Sequence, residues 1–278
     1  MLVDIPPPAG PAVHPLLAVR YHLTTQVVAC PEGMWGGGDD GASLAGYERV
    51  ETVAGLWRMA SQAEAEDIGM THDAAPPVPR RPAALAFPVV VLAASAGGIE
   101  ALGQIFGALP VDFPAALAVV QHRHPRVPGF LAAVLQRSST LPLQEAAAGD
   151  RLQPGHIHLA PANRHLVVEP DGSLSLSAAA RVRSTRPAAD VLFASVAPVF
   201  TTRVIAVILT GYDSDGTNGL QVVKQWGRTV LAQDEASPQA FQMPRSAIAT
   251  GDVDEVLALQ EIAPALIARV TRLTRAAP

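Results

Sequence analysis

The sequence predicts a doubly wound α/β fold with a mostly parallel, Rossmann-like sheet. Three observations carry that prediction: short uninterrupted apolar runs, amphipathic stretches alternating with them, and small or polar residues clustered where the runs end. The runs are "FPVVVLAAS", "AALAVVQH", "RVIAVILTG", "RTVLAQD" and "VDEVLAL". Each is brief, partly β-branched and not alternating, which fits strands covered on both faces. The stretches between them, "GIEALGQIFGAL", "VPGFLAAVLQRSS", "AADVLFASVAPVFTT", "DGTNGLQVVKQWG" and "SPQAFQMPRSAIATG", predict helices, and "EIAPALIARVTRL" predicts a last one. One region departs from the alternation: "GHIHLAPANRHLVVEPDGSLSLS" has period-two segments broken by "PAN" and "PDG", predicting an insertion of antiparallel hairpins.

The first 86 residues read differently, as an N-terminal extension with little regular structure, and residues 87–278 form the α/β domain. "DIPPPAGP", "GMWGGGDDGAS" and "DAAPPVPRRPAA" interrupt every pattern, and the prolines from Pro76 to Pro82 predict a stiff linker. Within the extension, "YHLTTQVVA" predicts a short strand, and Leu44, Tyr47, Val50, Val53, Leu56 and Trp57 are spaced for one face of a helix.

Composition narrows the function classes. Of 278 residues, 49% are hydrophobic and 16% charged, the balance of a packed globular chain. A net charge of -5 without a basic run argues against nucleic acid as a partner. The single cysteine, Cys30, excludes an internal disulfide framework and a multi-cysteine zinc site. The absence of a long apolar stretch or a signal-peptide pattern at the N-terminus predicts a soluble, cytoplasmic protein that is not membrane-inserted.

Parallel strands end at one sheet edge, where ligands and chemistry gather. Ser95 ends the first run, His122 the second, and "LTGYDSDGTNG" with Asp213 and Asp215 follows the third. A serine becomes a nucleophile when an imidazole removes its proton and a carboxylate orients that imidazole. Each residue also has a structural role open to it: Ser95 as a helix cap, His122 as a hydrogen-bonded strand end, the aspartates as turn formers. The paired histidines His122 with His124 and His156 with His158 lack the carboxylates or cysteines a metal site needs, and "AASAGG" matches neither dinucleotide nor phosphate-loop spacing. No metal or cofactor is expected.

From Val89 to Val270 the sequence resembles the catalytic domain of the CheB chemotaxis methylesterases. The landmarks are "LAASAGGIEAL", "VVQHRHP", "LQPGHIHLAPANRHLVV", "TRPAADVLFASVA", "VILTGYDSDGTNGL", "AQDEASPQAFQMPRSAI" and "VDEVLAL", in that order. The resemblance implies Ser95 as nucleophile, His122 as base and Asp215 as its orienting carboxylate, with backbone amides near Gly97 and Tyr212 holding the oxyanion. It implies methylated chemoreceptor cytoplasmic domains as substrate, other chemotaxis proteins as further partners, and receptor glutamine deamidation as a second activity. Two residues depart from the family's "TGMGxDG": Tyr212 stands for methionine and Asp213 for glycine, which adds a carboxylate near the base. Ala96 replaces a common threonine. The first 86 residues lack the features of a phosphorylated receiver domain, so no control through phosphorylation of this chain is expected. A non-catalytic receptor-binding module of the same fold is the alternative. Arg181, Arg183 and Arg186 read as solvated charge or as a docking site for acidic receptor helices.

Overall fold

The computed structural model describes residues 87–123 and 130–275. The expected strand at "YHLTTQVVA", the helix from Leu44 to Trp57, the proline linker, Cys30 and His124 lie outside the described residues. Seven strands form one sheet: β1 (Val89–Ala94), β2 (Ala116–Gln121), β3 (Leu143–Glu145), β4 (Ile157–Leu159), β7 (Val204–Ile208), β8 (Thr229–Gln233) and β9 (Glu255–Leu257). Across the sheet they run in the order β3-β4-β2-β1-β7-β8-β9, every neighbouring pair parallel. A separate antiparallel hairpin joins β5 (His165–Val168) to β6 (Leu174–Ser177).

The central strands explain the sequence pattern. All six residues of β1 and all six of β2 are buried, because helices cover both faces of the sheet. On one face Val91, Ala93 and Val120 pack with Leu192, Phe193 and Val196 of helix α3 (Ala189–Phe200). On the other, Leu92, Leu117 and Val119 pack with Leu102, Ile105 and Phe106 of α1 (Gly98–Ala108) and with Ile262 and Leu266 of α6 (Leu259–Arg275). Each valine, leucine, isoleucine or phenylalanine among them, fully buried, stabilises the fold by about 1.5–3 kcal/mol. Shorter helices α2 (Leu131–Gln136), α4 (Thr217–Gln225) and α5 (Gln242–Ile248) complete the set among the described residues.

The structure corrects the hairpin region. Ile157–Leu159 is not a hairpin strand; it pairs in parallel with β2 and with the short β3 and extends the main sheet. Only the segments around "PDG" form a hairpin, closed by a turn in which Gly172 adopts φ 81°. That hairpin braces α3. Ser195 Oγ of α3 accepts the Val168 amide at 3.0 Å and donates to Leu192 O at 2.9 Å, while His165 Nδ1 accepts the Ala188 amide at 3.2 Å just ahead of the helix.

Candidate active site

Ser95 and His122 are placed by register. Ala94 and Gln121 are partners across β1 and β2, so the next residues, Ser95 and His122, leave neighbouring strands side by side, and the His122 amide donates to Ala94 O at 2.9 Å. Strand alternation puts both on the face of Ala93 and Val120, the face covered by α3. Ser95 is held by its backbone. Its amide donates to Thr210 O at 2.8 Å, and its carbonyl accepts from Gly98 N at 3.0 Å and from Gln121 Nε2 at 2.7 Å.

The helix after it is not capped by Ser95. Gly97, at φ 78°, is the N-cap of α1, with no side-chain hydrogen bond closing that end. Ser95 Oγ has no hydrogen-bond partner among the described residues, which leaves the hydroxyl free for chemistry.

Asp215 sits at the head of α3. Its Oδ2 accepts from Ala189 N at 2.6 Å and its Oδ1 from Asp190 N at 3.0 Å, so the positive end of the helix faces this carboxylate. The same Oδ2 lies 2.7 Å from His122 Nε2, and the Asp215 side chain is fully buried. Asp213 occupies the other side of the ring, its Oδ2 3.1 Å from Nδ1, close in distance but outside good hydrogen-bond alignment. Its Oδ1 accepts the Asp215 amide at 2.9 Å, a tight aspartate turn that fixes it there.

Burial lowers the affinity of His122 for a proton, but the close contacts and charges of Asp213 and Asp215 outweigh it and push the pKa up to about 9. Asp213 moves the opposite way: burial raises it, and the bonds and charge of His122 bring it below the usual carboxylate range. Asp190 is pushed up to about 6 by burial and by the charge of Asp215.

The raised pKa of His122 predicts a stability change with pH. The folded state favours the charged ring, so the stabilisation is full below about pH 6.5 and is lost as pH rises through 9. Each pH unit across that interval weakens the fold by about 1.4 kcal/mol, for a total of roughly 3 kcal/mol. Urea unfolding at pH 6 and pH 10 should differ by an amount that His122→Asn removes; equal dependence in both proteins would refute the assignment.

The surrounding loops interlock. The Gly211 amide donates to Ala240 O and the Met243 amide to Gly211 O, at 2.8 and 2.9 Å. A side chain on Gly211 would meet Met243 Sδ at 2.1 Å and Ser95 Cβ at 2.8 Å, so only glycine fits beside the serine. The amides of Gly97 and Tyr212 have no acceptor among the described residues, and Tyr212 is 70% exposed.

Sequence reasoning missed two supports. Gln121 ends β2 and bonds both Ser95 O and His122 O; Gln233 ends β8 and accepts the Thr210 amide at 2.9 Å. Their signal is a glutamine closing an apolar strand. The arginines need correction too. Arg186 is bound to Asn163 Oδ1 and to the carbonyls of Ala178 and Ala179, and Arg183 reaches Ser214 Oγ at 2.9 Å and Asn218 Oδ1 at 3.2 Å. Both tie loops together, and neither is freely solvated charge. Among the described residues no cluster of three or more histidine, cysteine or acidic side chains could hold a metal, and no helix is long and apolar enough to cross a membrane.

Ser95, His122, Asp215 and the unbonded amides lie at the strand ends of a doubly wound α/β domain, the edge where such folds place their sites. The family follows from comparison: the CheB methylesterase family model matches residues 90–266, and the chain belongs to that family. It is 43% identical over 187 residues to a protein-glutamate methylesterase/protein-glutamine glutaminase of Moorella thermoacetica, covering 66% of this chain and 44% of the relative. A putative enzyme of the same name from Leptospira interrogans is 37% identical over 181 residues, covering 65% of this chain and 94% of the relative. The crystal structure of the Thermotoga maritima CheB methylesterase catalytic domain aligns with a TM-score of 0.63 at 37% identity, covering 66% of this chain and 98% of that one. The chain spans about half the length of the longer curated relatives.

Proposed function

We propose that this protein hydrolyses the γ-methyl esters of glutamates on the cytoplasmic helices of chemoreceptors, releasing methanol in the adaptation step of a chemotaxis pathway. The observation that carries the reading is the placement of Ser95 and His122 at the ends of adjacent strands, with His122 Nε2 2.7 Å from the buried carboxylate of Asp215. His122, neutral, takes the Ser95 proton as Oγ attacks the ester carbonyl. The tetrahedral oxyanion is held by the amides near Gly97 and Tyr212, each such donor contributing about 3 kcal/mol to the transition state. His122 returns the proton to the departing methanol. It then deprotonates a water that cleaves the glutamyl-serine ester, restoring Ser95 and leaving a free glutamate.

A glutamine side chain passes through the same intermediate with ammonia as leaving group, so deamidation is the related activity. The chemistry needs no metal or cofactor. The work is cytoplasmic, residues 87–278 carry it, and residues 1–86 form an extension that is not a receiver domain. One observation favours the alternative of a receptor-binding module without turnover: the 3.1 Å contact of Asp213 with the ring nitrogen that must act as base.

The test is methanol release by the full chain from radiolabelled, methyl-esterified receptor fragments, with acid quenching and mass spectrometry of the peptide containing Ser95. Methanol release with a glutamyl adduct on Ser95 is expected. A folded protein that releases none from several receptors at any pH would overturn the esterase reading in favour of the binding module.

A further inference from the structure

We infer that Asp213 is a positioning residue for His122: its carboxylate closes on Nδ1, opposite Asp215, and holds the ring as a doubly ion-paired imidazolium that restrains the reaction. The inference rests on the esterase reading for its consequence and on the ring geometry for its cause.

A neutral imidazole has one N–H and one lone pair. With Nε2–H donating to Asp215 at 2.7 Å, the electron-rich Nδ1 would lie unprotonated beside the Asp213 carboxylate 3.1 Å away. Two electron-rich groups at that distance repel; a proton on Nδ1 turns the contact into attraction. The arrangement therefore favours the charged ring, and a ring protonated on both nitrogens has no lone pair with which to accept the Ser95 proton.

The other charged groups do not offset the pair. Facing this cluster are Asp190 at the head of α3, 1% exposed, and Arg183 from the preceding loop, which spends its guanidinium on Ser214, Asn218 and Asp190. His165, behind Asp215, is pushed down by burial and so is neutral near pH 7. The elevated pKa of His122, about 9, agrees with the geometry. Asp213 is also the accessible member of the pair: its side chain is 32% exposed and that of Asp215 fully buried. Asp215 thus meets the ring out of solvent, whereas Asp213 meets it at a solvent-accessible position.

At pH 7 a group with a pKa of about 9 is neutral about one time in a hundred, so removing the second carboxylate should free the base. The experiment compares the full chain with Asp213→Asn, which keeps an acceptor for the Asp215 amide, and Asp213→Gly. The His122 ring nitrogens are titrated by NMR, and methanol release is followed against pH. The wild-type ring should titrate near pH 9 and both variants near its ordinary value. Methanol release at pH 7 should rise at least about tenfold in kcat with KM little changed, and the difference should vanish by pH 10.

An unchanged His122 titration in both variants would overturn the inference whatever happens to turnover. A lowered titration with no methanol release from any of the three proteins would support the clamp and sink the esterase reading. Methanol release with an unmoved titration would do the reverse.

Discussion

Ser95→Ala is expected to lower methanol release by about 10⁶-fold while leaving the unfolding free energy within about 0.5 kcal/mol of wild type. The two halves of that expectation have separate causes. Every bond that fixes Ser95 is made by its backbone: the amide to Thr210 O, the carbonyl to Gly98 N and Gln121 Nε2. Alanine keeps all of them. The hydroxyl has no hydrogen-bond partner among the described residues, so its loss leaves no buried group unsatisfied and removes only the nucleophile. A serine that capped α1 would behave otherwise, since losing a cap typically costs about 1 kcal/mol. Thermal unfolding and single-turnover methanol release on the same preparation separate the two roles. A destabilised variant that still turns over would return Ser95 to the role of a cap and place the nucleophile elsewhere.

The position of Ser95 was legible in the sequence because its causes are local. An apolar run buried on both faces has to end where small and polar residues begin, and parallel strands end together, so "VVLAAS" and "AVVQH" already implied neighbours at one edge. The parts that were not legible depend on distant partners. "HIHLAP" alternates like a hairpin strand, and only its pairing with β2 and β3, set by segments more than ten residues away, draws it into the main sheet. β3 itself has three residues, too few to show a period.

The same division holds within the site. The aspartates could be placed in the loop after β7, but which carboxylate meets which ring nitrogen depends on the aspartate turn in which Asp213 accepts the Asp215 amide. Arg183 and Arg186 looked like free charge because their partners, Asn218 and Asn163, are brought to them only when the loops fold back.

Asp215→Ala should fail in both respects at once, and this separates Asp215 from Ser95. Its two oxygens accept from Ala189 N, Asp190 N and Gly216 N, from Thr185 Oγ1 at 3.4 Å and from the His122 ring, all around a fully buried side chain. Alanine would strand two backbone donors at the head of α3 and a third, Gly216 N, ahead of α4, and leave a buried ring with Asp213 alone. Breaking a buried charge pair from one side typically costs about 3–5 kcal/mol, and methanol release should fall about 10⁴-fold through loss of ring orientation. Asp215→Asn distinguishes the causes. Its amide oxygen can still serve Asp190 N and Gly216 N, so much of the stability should return. Its NH₂ group faces both Ala189 N and His122 Nε2, however, where it must clash with one donor and force the ring into the tautomer with its lone pair on Nε2. The ring's one lone pair would then be tied to the asparagine amide and unable to accept the Ser95 proton, and turnover should stay as low as in the alanine variant. Recovery of turnover together with stability in Asp215→Asn would mean that Asp215 acts only as the cap of α3, and that the orienting carboxylate of His122 is Asp213.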